Sequence, residues 1–250
     1  MSNFCPEWVF ASCCAKTAHD FLYTNNGITI IAKKFSNELS TKYDEIKFEE
    51  ISDVSEKMLQ FLSEINASED AINLVGSNSY IENLKIYNSQ SDAIDIDFGS
   101  GQIINSLFKN IGNDGKDLSG TESFLKNLEF VNISDKIISV GENSNVQILN
   151  LKGTNSFVGV ASKDGSKTIV QEVEFNGVNI PFASYIKKLS YEAANLDVKK
   201  ISTLKTFEAL GLKDENSEIF IDGESKGNIE EDILNIIYKR LPIKKDDRRI

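Results

Sequence analysis

Apolar and polar positions alternate along residues 70–155 in short runs, and the runs restart about every 22 residues. In "DAIDIDFGSGQIINSLFKNIGN", which begins at Asp92, Ile94, Ile96 and Phe98 alternate with Asp95 and Asp97 before a Gly-Ser-Gly bend and a second apolar run. Period-two alternation is the spacing of a strand with one buried face, here with Ile94, Ile96 and Phe98 inward, and a helical period of 3.6 does not fit it. Segments starting at Asp70, Asp92, Asp114 and Asp135 repeat the arrangement at steps of 22, 22 and 21, and a looser fifth copy starts at Val158. A repeat of this length describes a solenoid. The turns are set too closely to leave room for a helix in each copy, which excludes leucine-rich and ankyrin types. The pattern predicts an all-β chain, a parallel β-helix in which each copy is one coil, with helical caps at its ends.

Asn83, Asn105, Asn127 and Asn150 recur with the coil, as do Asn88, Asn110, Asn132 and Asn155. Asparagine tolerates left-handed backbone at bends, and identical amides one strand spacing apart, ~4.8 Å, can hydrogen-bond to one another. These columns read as structural ladders.

The flanks read differently. Residues 1–66 are expected to hold strands in "NNGITIIAKKF" and "YDEIKFEEI", then a capping helix with Asp53 and Glu56 at capping-box spacing and an apolar stripe through Val54, Met58, Leu62 and Ile65. Residues 67–200 are assigned to the β-helix. Residues 201–250 are expected to close it: a strand and an Asp222-Gly223 turn, then an amphipathic helix with Asn228 as N-cap, then a basic tail.

A formal net charge of -11 argues against a nucleic-acid or anionic-membrane partner, because polyanions need a basic stripe. The three arginines, Arg240, Arg248 and Arg249, all fall in the tail. Cys5, Cys13 and Cys14 form neither a disulfide framework nor a zinc spacing. The opening residues lack a basic n-region, so no signal peptide is expected, and no run reaches the length of a membrane span. His19, the one histidine, lies far from the repeats.

The runs "SDAIDIDF", "NDGKDLSG", "DKIISVGE" and "VASKDGS" resemble the right-handed parallel β-helix domains of the pectin-lyase-like superfamily, in particular uncharacterised bacterial repeat proteins, some of which accompany spore-coat-H-type kinase modules. The resemblance covers about residues 68 to 195. It implies a three-sided right-handed coil, a carbohydrate-related and extracytoplasmic setting, and no particular reaction. The chain departs from that pattern at Ile137, where the family has glycine, and at Lys116, which falls in the inward column of Ile94 and Ile138. An inward lysine is costly. Lys116 is therefore expected to bend out toward Asp95 or Asp117, the alternative being a local slip of register.

Strand alternation points Asp95 and Asp97 outward, with Asp117 one coil from Asp95 and Asp114 one coil from Asp92. Carboxylates about 5 Å apart repel by roughly 3 kcal/mol at an effective dielectric of 20, and by under about 1 in open water. An open face makes them a solvated ladder that discourages lateral aggregation, or turn aspartates that cap backbone amides. A covered face requires a cation: calcium at Asp92, Asp95, Asp114 and Asp117, or a lysine such as Lys136, Lys163 or Lys116. The candidate cation or sugar group is Asp92, Asp95, Asp97, Asp114, Asp117, Lys136, Lys163 and Asp164.

Two function classes remain. One is a non-catalytic scaffold or carbohydrate-recognition module with an acidic outer face. The other is a polysaccharide lyase, epimerase or hydrolase acting on a cell-surface or extracellular glycan. Carboxylates at coil spacing suit a retaining glycosidase, but adjacent coils supply that spacing automatically. The coils contain no arginine or histidine, so lysine is their only cationic base.

Overall fold

The computed structural model describes residues 20–25, 28–35, 43–49, 70–205 and 209–238, the first three stretches as strand backbone. The helix expected over 53–65 lies outside them. Tyr43–Glu49 pairs antiparallel with Ile28–Phe35 and parallel with Ile72–Val75, which joins the N-terminal strands to the coil stack. From there the chain winds as a parallel β-helix of three faces.

On the first face Ile72–Val75, Ile94–Asp97, Lys116–Ser119 and Lys136–Gly141 stack in parallel, followed by 158–163, 180–185, Gly211–Lys213 and Asn228–Ile229. The second face stacks Asn78–Glu82 under 100–104, 122–126, 145–149, Lys167–Val170, Asn195–Val198 and Glu218–Ile221. The third begins at Lys85–Tyr87 and ends at Ile201–Lys205. One hydrophobic core runs up the axis from Ile72 to Ile221, and within it the rings of Phe108 and Phe130 stack at 4.7 Å. The stack thus continues beyond residue 200, and the Asp222-Gly223 turn, with φ of 51° and 81°, folds Glu224–Lys226 back antiparallel onto Glu218–Ile221.

Each corner of the coil needs a left-handed residue. Asn83, Asn105, Asn127 and Asn150 supply it between the second and third faces, with φ between 52° and 60°, and Asn88, Asn110, Asn132 and Asn155 supply it after the third. The expected ladders form: Asn150 donates to Asn127 at 3.0 Å, Asn127 to Asn105 at 2.9 Å, and Asn132 to Asn110 to Asn88 at 2.9 Å each. Asn105 departs from the column by donating to Glu82 at 3.1 Å instead of to Asn83.

The corner between the first and second faces corrects the reading of Phe98. One coil step relates it to Gly76 and Gly120, and all three have positive φ, 61°, 53° and 64°. The strand has therefore ended at Asp97, and Phe98 turns outward to 67% exposure. Alternation carried it inward only by ignoring the bend.

Lys116 is the second correction. Its register is intact, with Ile94 paired to Lys116 and Asp95 to Asp117, and the side chain follows the alternation into the core. It is fully buried, its Nζ has no hydrogen-bond partner among the described residues, and it lies 4.5 Å from the centroid of the Phe108 ring. A desolvated cation over a ring gains about 2 kcal/mol, less than the several kcal/mol of burying an unpaired charge. Burial accordingly holds the Lys116 amine well below its ordinary pKa.

The third correction concerns the C-terminal helix. Asn228 is a strand residue, not an N-cap, and the described helix is Ile233–Tyr238. It packs against the side of the first face. Ile233 and Ile237 pack with Ala161, Ala183 and Leu212, outward positions of the first face, in a cluster separate from the axial core. Tyr238 hydrogen-bonds to the hydroxyl of Tyr185 at 2.6 Å.

Candidate functional site

The eight residues singled out from the sequence divide into three environments. Asp92 and Asp114 belong to a column that caps backbone once per coil: Asp92 N donates to Asp70 Oδ1 at 2.9 Å, Asp114 N to Asp92 Oδ1 at 2.7 Å, and Lys136 N to Asp114 Oδ1 at 2.9 Å. Lys136 closes the column with its side chain, whose Nζ lies 3.2 Å from Asp114 Oδ1 and 2.6 Å from Asp135 Oδ2 and faces the Tyr238 ring at 4.9 Å. Burial opposes the charge on Lys136, but Asp114 and Asp135 outweigh it and raise its pKa. Burial and the neighbouring Asp114 also push the Asp92 carboxyl well above the usual carboxylate range.

Asp95, Asp97 and Asp117 form the outward group. Asn73 donates to Asp95 Oδ2 at 2.9 Å, and Lys163 Nζ stands 3.6 Å from Asp117 Oδ1. Lys163 reaches across Gly141, where even a Cβ would lie 3.1 Å from its Cε. Burial, then Asp97 and Asp117, push the Asp95 carboxyl up to about 7. Asp97 is raised by the same burial and by Asp117 and Glu142, with Lys188 opposing.

Asp164 is the third environment. The second-face step from Lys167 to Asn195 is 28 residues, where other coils take 22 or 23, and the surplus is the loop 186–194. Asp164 is buried beneath that loop, and its Oδ1 accepts the backbone amides of Lys187 and Lys188, both at 2.7 Å. Lys188 also pairs with Glu142. Among the described residues no three Asp, Glu, His or Cys side chains are grouped so as to hold a metal ion.

A different surface forms an open groove. Outward positions on the second face place Tyr80, Gln102, Phe124 and Gln147 in register on successive coils, beside a parallel column of Asn78, Ser100, Glu122 and Asn145. Together they line a groove of about 590 Å³, within the range of small-molecule sites. Tyr80 and Phe124 stand two coils apart, about 9.6 Å. A second hollow of about 510 Å³ adjoins it across Asn78, Ser100, Glu122 and Asn145 and reaches the exposed ring of Phe98. That ring lies over Gly120, where a Cβ would come within 2.8 Å of it.

The sequence offers little to mark this groove. Its residues are ordinary outward strand positions, and only stacking by the coil step aligns ring, amide, ring and amide. No family model, curated protein or solved structure matches the chain. Among the described residues no helix is long and apolar enough to cross a membrane.

Proposed function

We propose that this β-helix is a non-catalytic scaffold that recognises carbohydrate through the second-face groove. The observation that carries the reading is the column of Tyr80, Gln102, Phe124 and Gln147. The exposed ring of Tyr80 and the half-buried ring of Phe124 offer flat apolar faces, side-chain amides both donate and accept, and a sugar ring presents the complements of both. The strain at Phe98 supports it, since a bulky residue with φ of 53° on an exposed corner is the kind of outlier that functional sites retain. The resemblance of the coil signature to pectin-lyase-like domains supports a carbohydrate ligand without fixing its charge. The first-face aspartates then serve the fold, Asp92 and Asp114 by capping backbone amides and Asp117 by pairing with Lys163.

A second reading rests on Asp95. Its carboxyl, raised to about 7 and set one coil from Asp117 with Lys163 alongside, has the ingredients of an acid–base pair in a lyase, epimerase or hydrolase. Glycan-array binding with product analysis on the bound polysaccharides separates the two. Retention of unmodified glycan is expected, whereas new reducing ends or unsaturated ends would establish catalysis.

A further inference from the structure

Resting on carbohydrate recognition by the second-face groove, we infer that the ligand is an uncharged polysaccharide, laid along the solenoid axis from Tyr80 toward Gln147, and not a polyuronate.

The first argument is charge. Among the described residues Glu122 is the one charged residue lining either the groove or the adjoining hollow; the other polar groups are amides and hydroxyls, such as Asn78, Gln102, Asn145 and Gln147. A uronate chain needs cations opposite its carboxylates, and none lines this surface. The whole molecule, at a net charge of -11, repels a polyanion besides. Glu122 instead suits hydroxyl groups, for which a carboxylate is a strong acceptor.

The second argument is direction. Side chains one coil apart repeat about every 4.8 Å along the axis, so ring and amide alternate along a line and not across it. An extended chain of pyranose units running along that line meets Tyr80 and Phe124 with a unit between them over Gln102. Tyr80 is held for this by its own hydroxyl, which donates to Glu82 at 3.0 Å. Phe98, at the corner between the groove and the first face, provides a lateral wall.

Affinity gel electrophoresis tests the inference, with the protein run through gels containing hydroxyethyl cellulose, xylan or mannan as neutral probes and polygalacturonate as the charged one. Retardation by at least one neutral polysaccharide is expected, with none by polygalacturonate. Phe124→Ala should weaken the neutral interaction ~10-fold, the loss of one ring contact, and Gln102→Ala should weaken it without altering the circular dichroism spectrum. Retardation by polygalacturonate alone would overturn the inference and leave carbohydrate recognition standing. Retardation by none of the four would overturn both. Neutral binding that survives Phe124→Ala and Gln102→Ala unchanged would place the ligand elsewhere and overturn the inference as well.

Discussion

Two residues adopt conformations that cost stability, and each makes a distinct prediction. Lys116 is fully buried with no hydrogen-bond partner for its Nζ among the described residues, so the folded chain releases a proton that the unfolded chain holds up to its ordinary pKa of 10.5. Wherever the unfolded state binds more protons, stability rises with pH, so this penalty is largest at neutral pH and shrinks toward pH 10. Lys116→Met, which keeps the length and drops the amine, should stabilise the protein by about 1–3 kcal/mol at pH 7 and by less at pH 10, measured by denaturant unfolding. A loss of stability at both pH values would mean the amine has a partner. Phe98 spends energy on backbone: left-handed φ costs a non-glycine residue about 1–2 kcal/mol, while glycine gives back about 0.5–1 through its freer unfolded chain. Phe98→Gly should therefore raise stability by ~0.5–1 kcal/mol and weaken glycan binding. Stabilisation with binding intact would remove Phe98 from the site.

At the scale of elements, the loop 186–194 hangs on one carboxylate. Asp164→Ala removes the acceptor for the Lys187 and Lys188 amides and places alanine at φ of 53°. The expected cost is about 2–3 kcal/mol, roughly halved in Asp164→Asn, which keeps an acceptor and tolerates the conformation. Hydrogen exchange should speed up at the two lysine amides while the Asn127 ladder coils keep their protection. Uniform loss of protection would mean that the loop is not a separate unit. The elements also mark where the sequence was legible. The coil step fixed the stacking register through Ile94, Lys116 and Ile138 because a parallel solenoid repeats its contacts at the interval of its sequence. Strand alternation misplaces Phe98, because the corner ends it one residue earlier, while at Lys116 alternation holds and desolvation does not turn the side chain outward, because a lysine can enter the core uncharged. The helix at Ile233–Tyr238 was legible as an apolar stripe, but its position was not, because Ala161, Ala183 and Leu212 become its partners only once the coils stack. The groove was hidden for the same reason: Tyr80 and Phe124 are 44 residues apart in sequence.

The first face carries the aspartate group and the second face the groove, and the two respond to different perturbations. Asp92, Asp95 and Asp97 keep their protons in the folded state above the usual carboxylate range, Asp95 to about 7. The folded chain then binds more protons than the unfolded one between about pH 4 and 8, and stability falls as pH rises through that window. Asp95→Asn should flatten the fall by about 1–2 kcal/mol, a figure discounted for partial solvation, and the amide can still accept from Asn73. A pH profile unchanged by the substitution would mean that Asp95 is solvated. Such changes should leave binding alone, because no member of the acidic group lines the groove. The most direct measurement compares two double variants in calorimetric titrations with the neutral polysaccharide that the parent binds. Tyr80→Ala with Phe124→Ala should abolish the binding heat, and Asp95→Asn with Asp117→Asn should keep it within about twofold, a change below 0.5 kcal/mol. Binding lost in the acidic-face variant and kept in the groove variant would contradict the account and return the site to the aspartates.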